Sequence, residues 1–418
     1  MSQIQSNALY GPSAASNISS PYQASGCGTL AQLDGSSEMV NGSIKRTNAA
    51  HAQGVPATPL REILSGENAF YRQPDYLKVT QQELASNTLL PVSYTWNSES
   101  KVSRVFKEIL SIIVFPIGIC QALHRLAGKV AILPASSPSL MGYPKNYATE
   151  TRSQVYLENE WKHKRLTIEV DGYKIDAVIV GKAPTLGNGR WMLPSNGNGE
   201  FYEQKLVYNE LYQLLNELNG NAIVFNYNGV GVSSGLPNRA AMAKGYRAML
   251  AFLEDKEKGI GAREIIGYGH SIGGGVQGDA LKNHELKKDI QYVFVKSRTF
   301  SDLSTTASLL IHRALGFLVK ILGWNMDCVH SSKKLQAPEI IMQTACVCDY
   351  QELTDSSKII NDGVIPAKAS LAKALLDDPT TPRENKIFIG MPEYHNGGLR
   401  DPGYLARKIE ACLHQSKN

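Results

Sequence analysis

From residue 161 onward, short apolar runs alternate with amphipathic stretches. Residues 166–170 and 173–180 alternate apolar and polar positions on either side of Asp171-Gly172, which predicts two strands joined by a tight hairpin. A strand over 190–194 and a polar, glycine-rich loop over 195–200 come next. A helix is expected over 201–218, with Leu206, Leu211, Leu214, Leu215 and Leu218 on one face. Residues 222–225 read as a buried strand and 239–253 as a helix. The apolar pair Ile265-Ile266 leads into a helix over 276–281, and further buried strands are expected at 292–295, 339–342 and 386–389. A helix over 403–412 closes the pattern. Short apolar strands alternating with helices predict an α/β fold, a mostly parallel central sheet covered by helices on both faces.

Two stretches break the alternation. Residues 309–322, followed by Trp324, have a wide apolar face relieved only by Arg313 and Lys320. This is expected to be a cap helix, inserted near 303–325, that lines an acyl pocket, or else an ordinary core helix. Residues 109–120 are the most apolar run in the chain. Lys101, Arg104 and Lys107 precede it, and His124, Arg125 and Lys129 follow. The run is too short for a membrane span and contains Pro116. Two readings stand for it: a helix packed on the downstream domain, or a helix lying on a membrane surface. Residues 1–90 are rich in Ser, Gly, Ala, Asn and Gln and have little periodicity, so they are expected to be a disordered extension, either a linker or a non-Sec targeting signal. The expected organisation is therefore a low-complexity extension (1–90), a hydrophobic and basic helical segment (91–150) and an α/β domain (151–418).

Composition narrows the function classes. With 418 residues there is room for one large domain and an extension, or for two domains. The net charge of +5 is spread along the chain, with no run of Lys/Arg interleaved with aromatics, which argues against nucleic acid. The six cysteines are scattered, as in a protein with reduced thiols. Cys346-Val-Cys348 is too closely spaced for a zinc pair and is expected to pack at a strand end. No metal or cofactor is expected. The start of the chain has no basic region followed by an apolar core, so it does not read as a Sec signal.

The candidate chemistry centres on Gly269-His270-Ser271-Ile272-Gly273, which lies between an apolar run and a helix. This is the order of a nucleophile elbow, with Ser271 on a sharp turn and the following helix N-terminus facing developing negative charge. A Cβ at Gly269 or Gly273 is expected to clash. A second match to the pattern, Gly231-Val-Ser-Ser-Gly235, is followed by Leu236-Pro237 where a helix should start, so Ser233 reads as a loop residue. A serine nucleophile needs a base and an orienting acid, and elbow sheets supply them in the order Ser, acid, His. His395, in a Gly-rich loop directly after a strand, is preferred as base over His414 in the terminal helix. Asp362 is preferred as acid, with Asp349 the alternative and Asp355 and Glu352 weaker. The N–H groups of Ile272 and of Asn198, in Asn196-Gly-Asn-Gly199, are the candidate oxyanion donors.

Together these motifs make residues 161–413 resemble the α/β-hydrolase superfamily. Trp191-Met-Leu-Pro-Ser-Asn-Gly-Asn-Gly-Glu200 and the Phe115-Pro116 segment are similar, more narrowly, to the CHLPS family of chlamydial proteins and to related Legionella effectors. That resemblance implies a protein of an intracellular bacterium, acting in the bacterial cytoplasm or delivered into a host cell by a non-Sec route; it implies no known substrate. The function expected from the residues is a serine hydrolase cleaving an ester or thioester, with a small-molecule or lipid acyl substrate. The alternative is a hydrolase fold kept as a non-catalytic binding module or secreted scaffold.

Overall fold

The computed structural model describes residues 84–96, 115–155 and 161–415. The expected disordered extension lies almost wholly outside them, as do residues 109–114 of the apolar run. The sheet is built on the hairpin of β2 (Trp161–Val170) and β3 (Tyr173–Lys182), antiparallel along its length with Val170 opposite Tyr173. Asp171 and Gly172 between them have φ of 49° and 80°. Two left-handed residues make a primed turn, whose twist matches that of the strands it joins.

β1 (Thr88–Tyr94) runs parallel to β2 at one edge, burying Leu90 and Val92. The boundary expected at residue 90 therefore falls inside a strand, because alternate residues of 88–94 belong to the core. The other strands are β4 (Arg190–Ser195), β5 (Asn221–Phe225), β6 (Glu264–His270), β7 (Gln291–Ser297), β8 (Glu339–Thr344), β9 (Gln351–Glu352) and β10 (Lys386–Met391). The sheet order is β1-β2-β3-β5-β4-β6-β7-β8-β10-β9, and from β5 to β10 every neighbouring pair is parallel. Successive residues of the central strands feed opposite cores. Ile265 and Phe294 join one cluster with Met249 and Val276, while Ile266 and Val293 join the other with Leu215 and Ile409. Burial on both faces is why these strands read as unbroken apolar runs.

The helices are α1 (Phe115–Ala127), α2 (Tyr147–Ser153), α3 (Tyr202–Val207), α4 (Glu210–Glu217), α5 (Arg239–Glu254), α6 (Ile272–Leu281), α7 (Leu303–Leu310), α8 (Arg313–Ile321), α9 (Cys328–Lys334), α10 (Leu371–Asp377) and α11 (Pro402–Gln415). Two of them depart from expectation. The helix expected over 201–218 is broken at Tyr208, which is extended (φ −88°, ψ 139°), so that α3 packs on α2 and α4 packs on α11. The single cap helix expected near 303–325 is a helical hairpin, α7 and α8, broken at Ile311-His312. The His312 side chain accepts the Ala314 N–H and restarts the helix. A Cβ on Gly316 would run into Ser308, so the two helices approach as closely as only glycine permits.

Candidate active site

Ser271 occupies the one-residue turn between β6 and α6, with φ 54° and ψ −123°. Such a conformation costs a non-glycine residue about 1–3 kcal/mol and survives only where its surroundings over-determine it. Here the Ser271 N–H donates to Ser297 O (3.0 Å) on the next strand, and Ser271 O accepts from the Gly274 N–H (3.1 Å). The flanking glycines are required by close approach. A Cβ on Gly269 would lie 2.7 Å from Gly274 Cα, and one on Gly273 would run into the Ser195 carbonyl.

His395 follows β10, and its Nε2 lies 3.0 Å from Ser271 Oγ. Its Nδ1 is 2.8 Å from Asp362 Oδ2. The other carboxylate oxygen, Oδ1, accepts from the N–H groups of Val364 (2.9 Å) and Ile365 (2.5 Å), and the His395 N–H donates to the Asp362 carbonyl (2.8 Å). Asp362 is fully buried. Burial alone would raise its carboxyl, but the hydrogen bond and charge of His395, with the two backbone donors, hold it below the ordinary carboxylate range. A folded-state value below the unfolded one, near ~3.9, stabilises the fold above that range and ceases to do so as pH falls through the depressed value. The stability advantage of the native chain over Asp362→Asn is therefore expected to shrink as urea unfolding is repeated from about pH 5 downward. An advantage that does not change with pH would contradict this.

The rival acids lie elsewhere. Asp349 is exposed, Glu352 pairs with Lys408 Nζ (2.5 Å), and Asp355 caps the turn at Ser357. His414 is exposed on α11, 3.8 Å from Glu410. Ser233 holds a loop, its Oγ accepting from the Asp176 N–H (2.9 Å) and donating to Asn226 O (2.9 Å). Cys346 and Cys348, expected to pack at a strand end, are exposed in the loop after β8. That strand runs two residues further than expected, so its packed end is Thr344.

Ile272 opens α6 and Asn198 lies in the loop after β4; both line one chamber with Ser271. The Asn198 loop is held from several sides. Asn196 Nδ2 donates to Phe225 O (2.9 Å), and Tyr227 Oη donates to Asn196 O (2.9 Å). Glu200 accepts from the Gly197 N–H (2.7 Å) and from Lys205 (2.8 Å). Burial opposes ionisation of Glu200, yet the Lys205 charge and these hydrogen bonds pull its carboxyl down to about 2. The Ala135 N–H donates to Asn198 O (3.3 Å), so the segment before the α/β domain also supports the loop.

Sequence reasoning missed Arg298. Its φ is 48°, it is buried, and its Nη1 donates to the carbonyls of Tyr394 and Gly397 (both 2.6 Å), clamping the His395 loop on both sides. No spacing rule points to it; an arginine just after β7 was the only signal. Arg298→Ala is expected to lower kcat by on the order of 10²-fold through misplacement of the imidazole, with KM changing far less. Arg298→Lys should restore part of kcat. Equal changes in kcat and KM would reduce Arg298 to a packing residue.

The chamber at Ser271 has a volume of about 440 Å³ and is almost wholly apolar. Val364, Ile365, Phe300 and Trp324 form its inner wall, and α1, α7 and α8 form the outer one. α1 is anchored by its last turn. His124 stacks on Trp324 (4.8 Å between ring centroids) and its Nδ1 lies 2.6 Å from Leu322 O, while Trp324 Nε1 donates to His124 O (3.1 Å). His395 also borders a second cavity, of about 260 Å³, whose lining includes the polar side chains of Glu200, Lys205, His270 and Arg298. Burial, then the Arg298 charge, push the His270 imidazole well below its usual range, so it is neutral at pH 7.

Residues 80–409 match the family described as Chlamydia CHLPS protein (DUF818). The chain belongs to that family. Its sheet order and elbow give this CHLPS-family chain the α/β-hydrolase fold. No curated protein sequence matches it. Solved structures similar to it include an α/β-hydrolase from Vibrio vulnificus (16% identity, 77% of this chain and 97% of that one, TM-score 0.49). The esterase Pf2001 of Pyrococcus furiosus is another (14%, 61% and 91%, 0.44). An acetyl xylan esterase from Paenibacillus sp. R4 is a third (17%, 64% and 92%, 0.41).

Proposed function

We propose that this chain is a serine hydrolase that cleaves an ester or thioester whose apolar acyl group occupies the 440 Å³ chamber. The observation that carries the reading is the unbroken relay from Ser271 Oγ through His395 to the buried Asp362. Ser271 Oγ attacks the carbonyl carbon while His395 Nε2 takes its proton. The oxyanion accepts hydrogen bonds from the Ile272 and Asn198 N–H groups, at the N-terminus of α6 where the helix dipole favours it. Collapse breaks the bond to the alcohol or thiol, and His395 returns the proton to that leaving group. Water then attacks the acyl-enzyme with His395 as base, and the released acid leaves Ser271 protonated again. An apolar chamber favours an acyl chain over a polar acid, because a polar group taken into it would lose its hydrogen bonds. The test is labelling of the full chain with a fluorophosphonate, followed by mass spectrometry of the peptides. A phosphonyl adduct is expected on Ser271; no adduct, or one on another serine, would overturn the assignment.

A further inference from the structure

The apolar chamber is open toward solvent, and its rim is made of residues that a soluble surface rarely gathers. Leu126, Val130, Leu310 and Ile311 both line the chamber and are exposed, Ile311 to 72%, so they form its mouth. Outside this mouth, and taking no part in the lining, Phe317 (64%), Ile321 (57%), Leu309 (50%) and Ile119 (44%) are exposed as well. More than half of the exposed large hydrophobic side chains among the described residues lie on α1 and its following turn or on α7 and α8. Contiguous apolar surface of this kind marks a contact site.

Charge identifies the occupant. No Asp or Glu occurs between Phe115 and Ile132 or between Leu303 and Met326, whereas Arg125, Lys129, Arg313 and Lys320 stand among the apolar residues. A second copy of the chain meeting this face symmetrically would set like charges against each other. The segment before α1 carries Lys101, Arg104 and Lys107 against Glu99 and Glu108, so its net charge is positive too. Apolar side chains framed by cations are the complement of an anionic lipid surface, which takes the former among its acyl chains and the latter at its head groups.

We propose that the open face of α1, α7 and α8 docks on an anionic lipid surface, so that the chamber mouth faces the lipid and an acyl ester passes directly from it toward Ser271. This rests on the hydrolase reading for the ester, and on the surface alone for the docking. Among the described residues no helix is long and apolar enough to cross a membrane.

The test uses the full chain with vesicles of phosphatidylcholine, with or without phosphatidylglycerol, in a co-sedimentation assay. Binding to the anionic vesicles is expected to exceed binding to neutral ones by about tenfold or more and to weaken steeply with added salt. The double variants Phe317→Ser with Ile321→Ser, and Arg313→Ser with Lys320→Ser, should each lose about tenfold in binding. Both should keep the native rate of fluorophosphonate labelling and of hydrolysis of a water-soluble short-chain ester, which also shows that they fold. Hydrolysis of phosphatidylglycerol in the vesicles should fall with binding. A native chain that labels normally but does not bind anionic vesicles would overturn the proposal, as would variants that bind undiminished. So would a stable dimer that fails to bind and that the Phe317/Ile321 variant splits into monomers. Vesicle binding without labelling would support the docking surface and overturn the hydrolase reading instead.

Discussion

Ser271→Ala is expected to lower kcat toward an acyl ester by on the order of 10⁶-fold, the size of loss that removing the nucleophile of a comparable triad produces. The alanine fits the turn no worse than serine, since both have a Cβ and the left-handed φ is already imposed by the bonds to Ser297 and Gly274. Loss of activity should therefore come without loss of the fold, and kinetics on folded protein would report the chemistry alone. The residual rate should reflect the proposed Ile272 and Asn198 donors and the chamber, which would hold the ester but supply no attacking atom. The control is Ser233→Ala. Its hydroxyl bridges Asp176 and Asn226 in a buried loop, so the change should cost about 1 kcal/mol of stability or somewhat more and leave kcat near native. Equal losses of activity in the two variants would show that the elbow has been misplaced.

Asp362→Asn is expected to lower kcat by on the order of 10⁴-fold, through the imidazole tautomer and not through geometry. The asparagine oxygen would keep the bonds from the Val364 and Ile365 N–H groups, because these fix one side of the side chain. Its NH₂ group must then face His395 Nδ1, where the carboxylate oxygen stood. Nδ1 becomes an acceptor, the proton moves to Nε2, and a ring with N–H directed at Ser271 Oγ cannot take the serine proton. Asp349→Asn, on an exposed side chain, should leave kcat unchanged. The reverse pattern, with Asp349→Asn crippling and Asp362→Asn mild, would mean that the acid has been misassigned.

How far these residues were legible depends on the range of the forces that place them. The elbow could be read because everything that makes it is within a few residues: an apolar strand, glycines where backbones nearly touch, and a helix behind the serine. His395 could be read because chain order and a single strand end sufficed. The primed turn at Asp171-Gly172 and the buried strands are local in the same sense, each a product of backbone preference or of apolar spacing.

The choice between Asp362 and Asp349 was not local. The chain leaves β8 after Thr344 and makes a long excursion. It then returns through a bridge between Ala345 and Ile359 and a bond from the Ile360 N–H to Thr344 O. That closure delivers Asp362 back to the sheet edge under His395 and leaves Asp349 out in solvent, which no spacing in the linear sequence could reveal. Arg298 was hidden for the same reason, since its role consists of two carbonyls from a loop almost a hundred residues later. The run at 109–120 was legible as apolar with basic flanks, and its first six residues lie outside the described ones. The helix that contains its end is anchored through His124 and Trp324, while the exposed Leu123 and Leu126 in the same turn line the chamber. The sequence by itself determined the fold class and the local form of the elbow, because short-range sterics and apolar periodicity suffice for them. Only the tertiary structure decided which carboxylate lies against His395, the loop clamp and the form of the chamber, because each depends on which distant segments the packed sheet brings into contact.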